Sequence, residues 1–120
     1  MKLTYEKISN ALSALEKLSR LDLRASEAVK LARLLGKVED ELKPLEKTRG
    51  ALLGKYGEAV ENGTYKIKPE SYDAFSKEYR ELLETEVTID SETVEIKSDI
   101  AIDASSVLAL GEMVTFVEGE

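Results

Sequence analysis

Four residues in the middle of the chain have side chains suited to binding an anion. An arginine fork matches the oxygens of a phosphate, and an aromatic ring beside lysines is typical of a surface that binds a phosphate or stacks a base. Arg49 stands where an apolar helical pattern leads us to expect an apolar residue, and a short run further on contains Tyr65, Lys66 and Lys68. We therefore expect these four residues, contributed by neighbouring chains, to meet a phosphate.

The same four residues also have structural interpretations. Arg49 can extend past the apolar seam and pair with a glutamate of the third helix. Lysines on an edge strand can serve only to prevent sheets from pairing edge to edge. The sequence leaves these alternatives open.

Other reactive groups are scarce. The chain has no Cys and no His, which excludes disulfides, thiol nucleophiles, thiolate metal sites and histidine bases. Neighbouring carboxylates such as Glu39 and Asp40 do not converge on one substrate when they lie on a helix. A further acidic group lacks the spacing and the glycine of a calcium loop: Asp90, Glu92, Glu95, Asp99 and Asp103. We therefore expect no enzymatic activity, no metal site and no cofactor.

Charge is distributed unevenly along the chain. Residues 81–120 carry eleven acids and one base, a net charge of −10, whereas residues 1–80 carry +3, for a total of −7. The acidic part can pack against basic helices of the same or a neighbouring chain, offer a surface to a basic partner, or simply be solvated. Because the total charge opposes a phosphate backbone, we do not expect nucleic acid as the main partner.

Length and hydropathy predict a soluble protein with a single domain spanning residues 1–120. No apolar run approaches the roughly 18 residues that span a bilayer, and the first residues lack the apolar core of a signal peptide. We expect no membrane partner and a cytoplasmic location.

Apolar spacing predicts two long helices packed as an antiparallel hairpin over residues 1–60. The first helix covers residues 4–20, and the second extends from an N-cap at Ser26 to Tyr56. Pro44 lies beside the seam of the second helix, so we expect a kink there and a change of packing partner from the first helix to a third. The seam has a period of 3.5 residues: Ala28, Leu31, Leu35, Val38, Leu42, Leu45, Arg49, Leu52 and Tyr56.

The remaining sequence predicts smaller elements. Gly57 caps the second helix, residues 61–84 form a turn at 61–63 and a third helix from Pro69, and residues 85–120 form short strands and a C-terminal helix. Alternating residues predict a small β-hairpin around 90–92, and 65–68 can add an edge strand. The fold class is therefore α+β, mostly helical. We expect one apolar face on the third helix, from Tyr72, Phe75, Tyr79, Leu82 and Leu83. Asp103 or Ser105 caps the last helix, whose inward residues are Val107, Leu110, Met113, Val114 and Val117.

The predicted hairpin is too long to be covered by its own chain. A helix over residues 26–56 is about 46 Å long, whereas a compact protein of this length is about 35 Å across. We therefore expect a homo-oligomer. Gly50 and Gly54 form a GxxxG spacing that would allow another backbone to approach closely.

Three stretches of the sequence resemble a group of small phage and prophage proteins of unknown function: Lys55-Tyr56-Gly57, the segment 77–83 and the segment 86–89. The resemblance covers residues 1 to about 90. It implies a viral source and a shared fold, and it carries over no catalytic residues. Three roles follow as hypotheses: an accessory protein that counters host defence by blocking a host protein or sequestering a nucleotide, a structural or assembly protein, and an acidic decoy that imitates DNA.

Overall fold

The computed structural model describes residues 1–60 and 64–117 and has the predicted fold class, α+β and mostly helical. Four α-helices follow one another along the chain: α1 (Tyr5–Ser19), α2 (Ala25–Tyr56), α3 (Tyr72–Leu83) and α4 (Ala104–Leu110). Six short strands accompany them: β1 (Lys2–Thr4), β2 (Gly57–Ala59), β3 (Tyr65–Ile67), β4 (Glu86–Thr88), β5 (Val94–Ile96) and β6 (Val114–Phe116). The predicted turn at 61–63 lies outside the described residues.

The molecule is elongated, as the length of the second helix predicts. Its principal dimensions are 59 × 28 × 22 Å and its radius of gyration is 17.3 Å, whereas a compact chain of this length has about 14 Å. Within the described residues, none of the helices is long and apolar enough to cross a membrane.

The long helix α2 passes through Pro44 without interruption. Beside α1, Leu31, Leu34 and Val38 of α2 are 0% exposed. Leu34 takes the inward place that was predicted for Leu35, which is half-buried. Just beyond Pro44, Glu46 still meets Tyr5 of α1, whereas Lys55 and Tyr56 contact α3. The predicted exchange of partners therefore takes place after the proline, and the kink stays a prediction.

The start of α2 differs from the prediction. The N-cap is Arg24 rather than Ser26, and Glu27 instead of Ala28 occupies the first inward position. The Glu27 carboxylate accepts a hydrogen bond from the Arg24 backbone N–H at 3.3 Å, which favours a helix start two residues earlier than predicted.

Three strands, β3, β4 and β5, form where the sequence predicts them, whereas β1, β2 and β6 were not predicted, and the pairing differs from the prediction. β4 and β5 do not form a hairpin: β4 pairs antiparallel with β1, and β5 pairs in parallel with β6. Pairing with the two ends of the chain buries Ile89, Val94 and Ile96 against the helices, which a hairpin at 90–92 would not do. A hairpin-like ribbon is formed instead by β2 and β3 at the end of α2.

The C-terminal helix is shorter than predicted. Asp103 caps it, as expected, but the chain leaves the helix at Gly111, which has φ +54°, and continues into β6. Leu110, Met113 and Val114 are buried as predicted, whereas Val107 and Val117 are about 40% exposed. Because seven residues make only two turns, Val107 lies on the outer side of α4.

Two regions of the molecule can be separated. We call residues 46–60 and 64–83 the arm; it contains the last turns of α2, the β2–β3 ribbon and α3. The rest of the described chain is the body, which contains α1, the first part of α2, α4 and the other strands. Nearly all fully buried side chains lie in the body.

Candidate functional site

The predicted ligand residues all lie in the arm, but they do not converge within one chain. Arg49 pairs with Glu46 of its own helix at 3.8 Å and is nearly half exposed, so a glutamate of the third helix as its partner is wrong. It lies about 10 Å before the end of α2, at 1.5 Å of rise per residue. Beyond that end, Lys68 pairs with Glu58 at 3.9 Å.

The ribbon separates the aromatic residue from a lysine. Tyr65 faces Ala59 and Lys66 faces Glu58 in adjacent cross-strand pairs, and successive side chains of a strand point to opposite faces. Tyr65 is 46% exposed and Lys66 is also exposed. One chain therefore offers two separate small surfaces, and a phosphate held between neighbouring chains stays a prediction.

The arm is held together by an aromatic cluster that joins α2 to α3. Tyr56 meets Phe75 edge-on, with ring centroids 6.4 Å apart, and Phe75 stacks on Tyr79 at 5.6 Å. Lys55 lies 4.9 Å from the centre of the Tyr56 ring and 3.6 Å from Glu78, and the Tyr56 hydroxyl and the Glu78 carboxylate raise its pKa. Tyr72, predicted to face inward, is instead 62% exposed because it precedes the part of α3 that contacts α2.

Gly57 is required where α2 turns into the ribbon. A Cβ atom at this position would lie 2.6 Å from the Leu53 carbonyl oxygen and 3.3 Å from that of Lys66. In contrast, a Cβ at Gly50 or Gly54 would meet nothing within 4 Å. The predicted glycine cap is confirmed, and the GxxxG face is open to solvent in the single chain.

A polar cleft in the body was missed by the sequence reasoning. Three cations on one face of α2 line it: Lys30, Arg33 and Lys37. The opposite wall is the acidic loop between β4 and β5, which carries Asp90 and Glu92. Lys37 donates a hydrogen bond to the Asp90 carbonyl oxygen. The spacing of the three cations, i, i+3 and i+7, was the available signal. In this cleft, the cations of α2 neutralise part of the negative charge of the acidic segment of the same chain.

A second missed feature is an apolar groove at the C-terminal end of the parallel strand pair. It has a volume of about 720 Å³ and is open to solvent. Its apolar lining includes Ile100, Ile102, Val107, Phe116 and Val117. Leu108, the next residue of α4, is 81% exposed and lines a separate groove beside Leu3 and Lys7. Exposed apolar groups in contiguous patches are typical of surfaces that bind other proteins.

Two side chains, Glu27 and Tyr5, form hydrogen bonds that connect α2 to other parts of the chain. Glu27 is 6% exposed and accepts hydrogen bonds from the Lys97 N–H, the Ser98 hydroxyl and the Arg24 N–H. Burial by itself raises the pKa of Glu27, but these hydrogen bonds outweigh it and lower the pKa overall. At the other contact, burial and the hydrogen bond to Glu46 (2.9 Å) raise the pKa of Tyr5 to about 12.

The acidic residues around the strands do not form a metal site in the described residues, where no group of three potential ligands comes together. Asp103 pairs with Lys17 of α1 and accepts hydrogen bonds from Ser106 at 3.1 and 2.7 Å. The Lys17 and Ser106 contacts hold its pKa well below the ordinary value. The described residues thus include half-buried apolar side chains on the arm and an open apolar groove on the body. A comparison of the chain with protein families, with curated proteins and with solved structures finds no match.

Proposed function

We propose that this protein is non-catalytic and works by binding as a homo-oligomer. The observation that carries the proposal is the incomplete cover of the arm. Six apolar side chains on its two helices are only half-buried: Leu52, Leu53, Tyr56, Phe75, Tyr79 and Leu83. In the body, by contrast, the inward side chains Leu31, Leu34 and Val38 of α2 are fully buried. A second copy would supply the cover that the arm lacks.

The proposed role is to counter a host defence by blocking a host protein. The viral source rests on the resemblance of residues 1 to about 90 to phage proteins. The apolar groove beside α4 and the exposed Leu108 favour a protein partner, because open apolar patches suit protein surfaces better than they suit a nucleotide. Sequestration of a nucleotide would need Tyr65 and Lys66 to come from different chains, since successive side chains of β3 point to opposite faces.

Two other roles have less support. A DNA-like decoy needs a continuous acidic face, but Lys37 and Lys17 contact Asp90 and Asp103 within the same chain. An assembly role in the virion requires only the elongated shape and is favoured by no specific surface.

The proposal is tested by the mass of the purified protein in solution, measured by sedimentation over a concentration series. We expect a dimer or larger oligomer, and a monomer at every concentration would contradict the proposal. The same protein, purified from cells with an active defence, is then denatured and its released small molecules are examined by mass spectrometry. We expect no bound nucleotide, and a stoichiometric nucleotide would replace protein blocking by sequestration.

A further inference from the structure

The uncovered surface of the arm is concentrated on one face of α3. Residues spaced by four, three and four positions lie on the same side of a helix. On α3 this spacing connects Tyr72, Ser76, Tyr79 and Leu83, which we call the α3 stripe. Tyr72 is 62% exposed and the other three are half-buried, whereas Leu82, on the side towards α2, is 8% exposed. The stripe therefore lies beside the intramolecular contact and has no cover along much of its length.

A groove runs along this stripe. It has a volume of about 460 Å³ and lies between α3 and the start of α1. The α3 side chains Ser76, Tyr79 and Leu83 line it, together with three charged residues: Arg80 of α3, Glu84 at its C-terminal end and Glu6 of α1. An amphipathic helix that lays its own apolar face into such a groove would bury both faces at once.

Charges beside the stripe indicate which helix fits. Asp73 and Arg80 are seven residues apart, so they flank the stripe on the same side, one near each end of α3. Both are exposed, and neither has an ion-pair partner among the described residues. If a second α3 packs antiparallel across a two-fold axis, Asp73 of each chain faces Arg80 of the other. The larger side chains interlock in the same arrangement, because Tyr72 then lies opposite Leu83 and Ser76 lies opposite Tyr79.

We propose that the α3 stripe is the homodimer interface and that its occupant is the α3 stripe of a second copy, packed antiparallel about a two-fold axis. The inference rests on the proposed function, since it names the surface through which the protein self-associates. The four helices that meet, α2 and α3 from each chain, would form a small bundle. Such an isologous contact closes on itself and gives a dimer rather than a filament.

Charge reversal tests the arrangement without disturbing a packed side chain, because both charged residues are exposed. Asp73 in the first turn and Arg80 in the last turn also complement the dipole of α3, so each reversal slightly weakens this helix as well. In Asp73→Arg, each arginine at position 73 meets Arg80 of the other chain, and in Arg80→Asp two aspartates meet. We expect each variant to dimerise roughly tenfold more weakly than the wild type, which corresponds to about 1.4 kcal/mol. The double variant Asp73→Arg/Arg80→Asp restores both pairs and is expected to dimerise like the wild type.

Mixing the two single variants gives the sharpest test. A chain with Asp73→Arg and a chain with Arg80→Asp have opposite charges at both contacts, so we expect a heterodimer that is tighter than either homodimer. Sedimentation and native mass spectrometry of a size-tagged pair measure this, at about 1 µM to 1 mM. Arg33→Asp, on the exposed side of α2 in the body, is the matched control and should leave dimerisation unchanged.

The outcomes separate the two proposals. A wild-type protein that stays monomeric over the whole concentration range overturns the proposed function together with this interface. A wild-type oligomer that is insensitive to both charge reversals overturns the α3 interface alone and leaves self-association through another surface. Circular dichroism of each variant verifies that the helices are retained, and Tyr72→Glu, which inserts a charge into the stripe at an exposed position, must also weaken the dimer.

Discussion

The body and the arm contain stretches of one continuous helix, yet they bury its apolar seam to very different extents. In the body, α1 and β5 pack on α2, and its inward side chains are at most 7% exposed: Leu31, Leu34, Val38, Leu42 and Leu45. In the arm, only α3 and a ribbon of three-residue strands pack beside α2, and Leu52 and Tyr56 stay half-buried. An apolar period therefore identifies which face of a helix turns inward, but the number of elements packed on that face decides how far it is buried.

The largest difference in stability is expected between two leucine truncations on α2, one in the body and one in the arm. Leu31→Ala removes a side chain that is 0% exposed, so we expect the free energy of unfolding to fall by about 3 kcal/mol or more. Leu52→Ala removes the same atoms from a half-buried site, where a cost of about 1 kcal/mol is expected because solvent already reaches the side chain. Urea denaturation at low protein concentration measures both. Equal losses would mean that the arm is covered as well as the body.

The next effect concerns Glu27, which connects the start of α2 to residues 97 and 98 of the body. We expect Glu27→Gln to reduce the free energy of unfolding at pH 7 by about 2 kcal/mol, because the amide supplies only one acceptor for several donors. The pKa of Glu27 is lowered in the folded state, so its stabilising contribution is present above the unfolded-state pKa and is lost as the pH falls through the folded value.

Measurements of stability at decreasing pH therefore distinguish the wild type from Glu27→Gln. Between pH 7 and pH 3 the wild type should lose more stability than Glu27→Gln, as measured by denaturation at each pH. Glu39→Gln, on the exposed side of α2, is the matched control and should follow the wild type. A parallel decline of wild type and Glu27→Gln would show that the hydrogen bonds to Glu27 do not hold the body together.

Much of the fold could be predicted from the sequence because it depends on local signals. The helices follow from apolar spacing, the cap of α4 from Asp103, and the end of α2 from Gly57. The fold class, the elongation and the unbroken path through Pro44 followed from the same reasoning. These features are determined by residues that are close together along the chain.

Strand pairing could not be predicted, because it depends on residues far apart in the chain. β4 and β5 are separated by a short acidic loop, which is typical of a hairpin, yet their partners are β1 and β6. Likewise, the inward position of Glu27 depends on donors seventy residues away, at Lys97 and Ser98. The same dependence on distant residues affects the side chains of a candidate site. Arg49 was expected to pair with a glutamate of α3, but it pairs with Glu46 of its own helix.

Within the arm, Gly54 of α2 and Gly57, which caps this helix, should respond in opposite ways to the same change. Gly57→Ala places a Cβ atom 2.6 Å from the Leu53 carbonyl oxygen, so we expect the ribbon to shift and the protein to lose about 1 to 2 kcal/mol of stability. Gly54→Ala adds a methyl group in open space on a helix and should gain about 0.5 to 1 kcal/mol. Thermal and urea unfolding measure both variants. A tolerated alanine at Gly57 would show that the junction between α2 and the ribbon is loosely packed.

The smallest effect is expected at the hydrogen bond that joins the two regions, from the Tyr5 hydroxyl in the body to Glu46 in the arm. Tyr5→Phe removes this bond at little cost in shape, and Glu46 keeps its neighbour Arg49, so we expect a loss of about 1 kcal/mol at pH 7. The pKa of Tyr5 is raised to about 12 in the folded protein. A raised pKa means that the contribution is fully present below pH 10 or so and is lost as the pH rises towards 12. Ultraviolet titration of the folded protein should accordingly show a late ionisation step that is absent in Tyr5→Phe and retained in Tyr65→Phe, where the ring is 46% exposed. A titration curve without a late step that Tyr5→Phe removes would mean that Tyr5 is open to solvent and that the body and the arm are not joined at this point.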